Sequence, residues 1–505
     1  MLKMVDGTGI IGVDMVCPLG GTVSPPQPPN YDKVEVEGVG SLVLANSLKA
    51  PLERVQLLGN SVQGENPAPD NPQEIKSAGR KSKNLFNAEA LIVGQVRTDG
   101  TINEKAIFYR SVILDVPEDA KYRITFKTNT DYDMLYFTDA YINGVYSNPY
   151  VKVYGVNSNS LIALKKGENI LSFKATKDDA TIDFPKDHNI MIAAESASLV
   201  YEPYSDKYLL DVKVTGKNIF NKNAVKQGYE FGAMTSDVET VKQGWFVSDF
   251  MPVKATTYQI SGKKTGSGCK LYSKDKVFVK NIQAPFGGIK FDEGIAYFRI
   301  NGEIKDLDKV QVEEGNQTTD YEPYQESQTL TLVSDRPITK WDKLVEQGGE
   351  YGWLYQSAID TDVKPSRVDL FPNGFSLFKD YDNGAHVYKV TNIKKAIGFQ
   401  TSLCEQFKNK DGSYSTGDLF CYSDQPSMQM QYFVTNISTL ENFKTWMETN
   451  PLTMVYKTTQ AEFIPLSESE QTQLRSLHSY SGTTNIMVDS GEVPCGIKLT
   501  YRKEI

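Results

Sequence analysis

The sequence predicts a mainly β chain: tandem jelly-roll β-sandwiches followed by a C-terminal α+β module. Three observations carry that reading. An internal repeat occurs twice, each copy opening on a Lys-Asn-(Leu/Ile)-Phe-Asn phrase and closing on Tyr-Glu-Pro-Tyr. Inside both copies apolar residues alternate with polar ones at the period of a half-buried strand, with hardly any helical spacing. Beyond residue 331 the repeat stops, and two capped helical stretches appear for the first time.

Residues 1–30 read as a docking arm with a Pro-rich linker. Ser24-Pro25-Pro26-Gln27-Pro28-Pro29 favours an extended, semi-rigid backbone that sets the first residues apart. The opening MLKMVDGTGIIGVDMVCPLGG resembles a secretory leader only superficially, because Asp6 and Asp14 interrupt its apolar stretch. Neither a leader nor a lipid or membrane anchor is expected at either end. Residues 31–81 carry two strand-like pieces, SLVLANS and ERVQLLG, then an irregular connector rich in Pro, Asn and Gly. That segment is too short for a core of its own, so its strands are expected to pair with the C-terminal module, with the repeats inserted between them.

The first repeat, residues 82–213, opens at Lys83-Asn84-Leu85-Phe86-Asn87, and the second, 214–331, at Lys217-Asn218-Ile219-Phe220-Asn221. Asn84 and Asn218 lie 134 residues apart, and each copy has the length of a domain that folds alone. Tyr122, Ile124 and Phe126 alternate in the first copy, and Tyr258 and Ile260 occupy the matching phrase of the second. Asn143-Gly144 and Asn301-Gly302 read as hairpin turns, which together with the short strands gives antiparallel sandwiches. The closing Tyr201-Glu202-Pro203-Tyr204 and Tyr321-Glu322-Pro323-Tyr324 hold the chain extended before proline and read as domain closure.

Residues 332–505 form the α+β module. Hairpin turns are expected at Asn383-Gly384 and Asp411-Gly412. One helix begins with a capping box, Ser438 and Glu441, carries Leu440, Phe443 and Met447, and stops at Asn450 ahead of Pro451. A second opens with Ser467 and Glu470 and places Leu474 and Leu477 on one face, to pack across a sheet.

Composition narrows the function. The 505 residues hold 54 Lys+Arg against 63 Asp+Glu, a net charge of -9 with no basic run, so nucleic acid is not an expected partner. No apolar stretch is long enough for a membrane-spanning helix, and no membrane insertion is expected. Cys17, Cys269, Cys404, Cys421 and Cys495 are odd in number and widely spaced, which suggests neither a zinc site nor a disulfide framework. His188, His386 and His478 sit in no metalloprotease-like motif and no nucleophile elbow occurs. No catalytic residue is assigned, although a paired-carboxylate glycosidase is not identifiable from spacing alone.

Four phrases in a fixed order give the chain a family likeness: LLGNSVQGENPAPDNPQEIKSAG at 57–79, the two KN(L/I)FN openings, QVEEGNQTTDYEPY at 311–324 and PLTMVYKTTQAEFIPLSESEQTQL at 451–474. In this succession the chain resembles modular tail and baseplate proteins, of receptor-binding or upper-baseplate type, from phages of Gram-positive bacteria. Such proteins carry carbohydrate-binding-module-like jelly rolls. The resemblance implies a structural protein of the virion, made in the bacterial cytoplasm and placed at the tail tip or baseplate. Its implied partners are other tail subunits, its own copies as a homotrimer or higher oligomer, and host cell-wall polysaccharide. Two alternatives stand beside it: a purely architectural subunit without glycan binding, and a tail-associated glycan-degrading enzyme. The first copy departs from the pattern, ending IAAESASLVYEPY where the second has the acidic-Gly loop.

Sugar recognition needs flat aromatic faces beside planar polar groups on an exposed sheet or loop. The stretch DAYINGVYSNPYVKVYG offers them, and its candidates are Tyr141, Tyr146, Asn148 and Tyr150, with Tyr154 close behind. The same tyrosines, alternating along strands, equally fill a sandwich with their hydroxyls at the rim. In the second repeat Trp245 is the candidate platform, and it equally suits a core or rim position; Trp341, Trp353 and Trp446 read as core or interface. Asp131 and Asp133 are a weak candidate for the structural Ca²⁺ that jelly rolls of this kind often hold, and equally a solvated turn. No other cofactor is expected.

Overall fold

A computed structural model describes residues 5–6, 9–10, 31–126, 135–153, 160–175, 189–197, 201–232, 236–263, 268–273, 276–283, 288–370, 386–390, 402–409, 418–420 and 431–504. The chain is mainly β, and its strands pair antiparallel almost throughout.

Its spine is a 12-stranded sheet assembled from distant parts of the sequence. The strands run in the order 328–334, 208–216, 482–489, 41–46, 31–39, 496–504, 50–58, 343–347, 350–363, 452–465 and 402–404, and the short His478–Ser479 joins the strand Ala50–Leu58. Tyr31–Val39 is matched along its whole length with Gly496–Glu504, from Tyr31 opposite Glu504 to Val39 opposite Gly496. The reason is visible in the core. Leu42, Leu44, Leu52, Val55 and Leu57 supply one side of a small apolar stripe, and they become buried only by meeting Val212, Leu332, Trp353, Ile486 and Leu499.

The sheet curls until its far strands meet. Trp353 Nε1 donates to the Val333 carbonyl at 2.8 Å, and the Ser334 and Tyr355 hydroxyls lie 2.7 Å apart. A helix, α2 (Glu468–Ser476), sits over the remaining opening. Ser467 and Glu470 form its capping box, and the Glu470 carboxylate also accepts from the Val333 amide at 2.8 Å, pairing an edge N–H that a sheet edge leaves free. Leu474 is fully buried beneath this helix.

The two repeats hang from the spine as β-sandwiches, each with a six-stranded and a three-stranded sheet closed on its own core. In the first, Phe86, Val112, Leu114, Ile124, Phe137 and Phe173 meet between the sheets. In the second, Phe220, Phe246, Tyr258, Leu271, Phe298 and Val312 do the same. The strand Tyr208–Gly216 straddles the boundary drawn from sequence at 213/214, and it belongs to neither sandwich. Like Gln328–Ser334, it pairs within the spine: both its edges are hydrogen-bonded there, and Leu210, Val212 and Val214 on one face enter the spine core.

The repeated phrase is a clamp. Asn84 donates through Nδ2 to the carbonyls of Ile190 (3.0 Å) and Glu202 (3.1 Å), and its Oδ1 accepts from the amides of Phe86 (2.9 Å) and Ile192 (3.0 Å). Asn218 makes the same four bonds to Val310, Glu322, Phe220 and Val312. A planar amide with two donors and an acceptor of two bonds ties the segment that opens a sandwich to its last strand. The next Asn, Asn87 or Asn221, caps a 3-10 turn by accepting from the amide two residues on.

The closing glutamates then fasten each sandwich to the spine. Glu202 meets Arg80 at 2.8 Å, and Arg80 reaches Asp211 of the spine at 2.6 Å. Glu322 meets Lys217 at 2.9 Å and accepts from the Thr483 amide and hydroxyl at 2.7 and 2.9 Å.

Residues 332–505 contribute to two apolar cores. The strand Glu350–Val363 is long enough to serve two cores: Tyr351, Trp353 and Tyr355 lie in the spine, while Val363 lies in a separate cluster with Leu452 and Met454 of the strand Leu452–Pro465. That cluster is closed by α1 (Leu440–Thr449), with the Phe443 ring stacked on Tyr388 at 4.4 Å. Its cap is Thr439, one residue beyond the expected Ser438, because Thr439 has the extended backbone and its hydroxyl accepts from the Asn442 amide.

Two turn expectations differ in outcome. Asn143 and Gly144 have φ of 48° and 79° and join Leu135–Ile142 to Val145–Ser147 in the tight hairpin their types favour. Asn301-Gly302 instead lies inside the strand Tyr297–Glu303. There glycine serves packing, since a Cβ on Gly302 would stand 2.9 Å from the Phe246 ring. Asn383-Gly384 and Asp411-Gly412 lie outside the described residues. Cys269, Cys404 and Cys495 are buried and free, and burial pushes the first two thiols up to about 12.

Candidate functional site: the outer face of the first sandwich

The strand Leu135–Ile142 turns Phe137 and Ala140 into the first core, and a bulge between Phe137 and Asp139 resets its alternation. Asp139 and Tyr141 therefore share the outer face of the larger sheet, opposite Ser172 and Ile170 of the neighbouring strand. The tight turn at Asn143-Gly144 brings Tyr146 directly across from Tyr141.

Asp139 organises the face although it is only 1% exposed. Its carboxylate accepts from the Tyr146 hydroxyl (2.5 Å), the Asn148 amide (2.8 Å), Gln95 Nε2 (2.6 Å) and the Thr138 hydroxyl (2.6 Å). Asn148 Nδ2 also donates to the Tyr146 oxygen at 3.1 Å. The hydrogen bond to Asp139, and then burial, raise the Tyr146 phenol above its usual range, so it remains a neutral donor. A buried carboxylate satisfied by four neutral donors holds the side chains around it in one arrangement, which is the preorganisation that weak ligand sites require.

Tyr150 stands beside this group and is the exposed ring, at 56%, with φ 44°. Its ring lies 6.0 Å from that of Tyr136, and the Lys152 ammonium stands 5.6 Å and 5.8 Å from the two centroids. Tyr141 is different. Gly100 lies so close that a Cβ there would be 2.7 Å from its ring, so this tyrosine is a floor under the 97–101 turn and not an open platform. The structure thus brings Tyr146 and Asn148 together on Asp139, sets Tyr150 nearby, and withdraws Tyr141.

Asp139, Tyr136 and Lys152 were not singled out in the sequence. The available signal was an acidic residue at the centre of an otherwise apolar and aromatic strand, YFTDAY. Tyr154, Asp131 and Asp133 lie outside the described residues, and no cluster of metal-binding side chains occurs among the described ones.

Trp245 belongs to the second sandwich. It is half-buried on the strand Glu239–Val247, and the Lys242 ammonium covers its ring at 3.6 Å while pairing with Glu230 at 2.5 Å. Elsewhere on that sheet's outer face Phe250 packs 4.8 Å from both the Tyr272 ring and the Arg299 guanidinium, and Arg299 meets Glu239 at 2.8 Å. Burial opposes the Glu239 charge, yet Lys226 and Arg299 outweigh it and hold the carboxyl below its usual range. Lys270, fully buried, donates to the Ser236 carbonyl between the Phe231 and Phe278 rings. This face is filled by its own aromatic and cationic side chains, whereas that of the first sandwich leaves a ring and an amide exposed. In the acidic-Gly phrase Glu313 is buried and accepts from Gln311, the Thr319 amide and the Thr319 hydroxyl, while Glu314 and residues 316–320 are exposed.

Fold and site together define a multi-module, mainly β protein whose first sandwich presents an aromatic and amide surface held by the buried Asp139. No protein-family model matches the chain, and no curated protein does either. No helix among the described residues is long and apolar enough to cross a membrane.

Proposed function

We propose that this protein is a structural component of a bacteriophage tail or baseplate that contributes to binding host cell-wall polysaccharide, and that it is not an enzyme. The observation that carries the reading is the surface around Asp139, where Tyr150 supplies an apolar ring face and Tyr146 and Asn148 supply hydroxyl and amide groups held in place. Sugars are recognised by that pairing of ring faces with planar polar groups. The order of the four sequence phrases supports the virion setting. The partners under this reading are neighbouring tail subunits and further copies of the chain, in a homotrimer or higher assembly whose copy number turns weak single sites into useful avidity.

The test is retention of the full chain, displayed multivalently, on host cells and purified wall polysaccharide, beside a Tyr146→Phe, Asn148→Ala, Tyr150→Ala triple variant. Binding by the parent and loss of roughly tenfold or more in the variant is the expected result. A second reading, an architectural subunit without glycan binding, draws on one observation: Tyr146 and Asn148 already spend hydrogen bonds on Asp139. In that case neither form binds wall polysaccharide at any density of display.

A further inference from the structure

A cleft of about 200 Å³ opens where the second sandwich meets the spine. One wall is the outer face of the strand Tyr208–Gly216, with Lys213 and Thr215. The other is the sandwich's base, with Asp249 and Phe250. Gln325 and Ser327, on the chain leaving the sandwich, close the end. Gly216 makes the close approach possible, since a Cβ there would press on the Gln325 side chain at 3.2 Å.

We propose that this cleft binds a single polyhydroxylated ring of sugar size. Its volume is below the ~300–1,000 Å³ of drug-sized sites, which suits one ring and excludes an oligosaccharide lying lengthwise. Its polar groups are idle in a junction where others are not. Among the described residues the Lys213 ammonium, Thr215 hydroxyl, Gln325 amide and Ser327 hydroxyl make no hydrogen bond or ion pair, and the Asp249 carboxylate spends only one oxygen, on the Phe250 amide at 2.7 Å. Beside them Lys217, Asn218, Glu322 and Thr483 are all paired. An ammonium, a carboxylate, an amide and two hydroxyls on residues lining one cleft match the alternating donors and acceptors of a ring of hydroxyls. At the junction of the first sandwich Arg80 bridges Glu202 and Asp211, and the Lys81 ammonium covers Tyr208 at 3.7 Å.

The choice of a sugar rests on the glycan-binding reading above, while the cleft and its unpaired groups do not. A ring held there touches both sandwich and spine, so its binding stiffens the angle between them.

The experiment is a titration of the full chain, followed by ligand-observed NMR, with four probes taken singly: a neutral hexose, an N-acetylhexosamine, a hexuronic acid and a hexose phosphate. At least one is expected to bind saturably. Lys213→Ala and Gln325→Ala, whose polar groups make no hydrogen bond in the fold, are each expected to weaken it roughly tenfold, and the Tyr146→Phe, Asn148→Ala, Tyr150→Ala variant to leave it unchanged. A preference for the acidic probes that vanishes in Lys213→Ala assigns the ammonium to the acid group. Failure of all four probes, or equal binding by parent and both cleft variants, overturns the proposal. Ring binding that persists while host cells are not bound sinks the host-recognition reading and leaves this site standing. Cell binding without ring binding sinks the site alone.

Discussion

Replacing Asn84 by alanine removes four hydrogen bonds in one place. Asn84 is 1% exposed, and its loss strands the carbonyls of Ile190 and Glu202 and the amides of Phe86 and Ile192, of which Ile190, Phe86 and Ile192 are buried residues. Each buried backbone group deprived of its partner costs about 1 kcal/mol or more, so the four together cost about 4 kcal/mol. That is a large part of the roughly 5–15 kcal/mol that holds a domain folded. The effect is confined to one sandwich, because each core is closed on itself. Hydrogen exchange reads it directly. In Asn84→Ala the Phe86 and Ile192 amides are expected to exchange about a hundredfold or more faster, while Phe220 and Val312 keep their protection. Asn218→Ala gives the mirror result. Asn84→Asp retains the acceptor but turns the two donors into an oxygen facing two carbonyls, and is expected to cost at least as much. A loss under about 1 kcal/mol in both alanine variants, or equal loosening of both sandwiches by either one, refutes the clamp.

Three further outcomes are expected. Glu202 is opposed by burial, but Arg80, the Lys83 amide and Ser82 outweigh that and hold its carboxyl below the ordinary 4.5. A depressed carboxyl stabilises above the unfolded value and loses that contribution as pH falls through the folded one, so proteolysis between the first sandwich and the spine accelerates below pH 4.5; Glu202→Gln is loosened already at neutral pH and lacks this step. An unchanged acid profile in Glu202→Gln contradicts the assignment. Gly302→Ala drives a methyl against the Phe246 ring and is expected to destabilise the second sandwich by about 1–3 kcal/mol in denaturant unfolding, where a neutral result refutes the packing role. Leu474→Ala empties a fully buried position under α2 and is expected to cost about 2–5 kcal/mol, with no change in the exchange of either sandwich.

The parts of the fold that sequence reveals are those set by local chemistry. Tyr122, Ile124, Phe126, Tyr258 and Ile260 alternate because one face of each strand is buried, and all five lie in the sandwich cores. Ser467 and Glu470 announce α2 because a capping box satisfies backbone groups within one turn. The spine is legible only in outline: the shortness of residues 31–81 points to pairing with the C-terminal part, but no local signal sets which strands meet or in what register. Tyr31–Val39 reads as a charged stretch, its Val34 and Val36 only partly buried, and its stability comes from pairing with Gly496–Glu504 at the far end of the chain. Asn301-Gly302 has the composition of a turn, and only the Phe246 ring above it explains the glycine. At the candidate site Tyr146, Asn148 and Tyr150 were legible as a cluster of suitable types. That Asp139 gathers two of them, and that Gly100 closes over Tyr141, depends on a bulge and on a loop from elsewhere in the sandwich.

The most direct test of the account is the retention of the full chain on host cell-wall polysaccharide, measured for the parent and for the Tyr146→Phe, Asn148→Ala, Tyr150→Ala variant with unfolding monitored in parallel. Saturable binding by the parent, and loss of roughly tenfold or more in an equally well folded variant, is the expected result. Equal binding by the two forms, or none by either at high multivalent display, contradicts it.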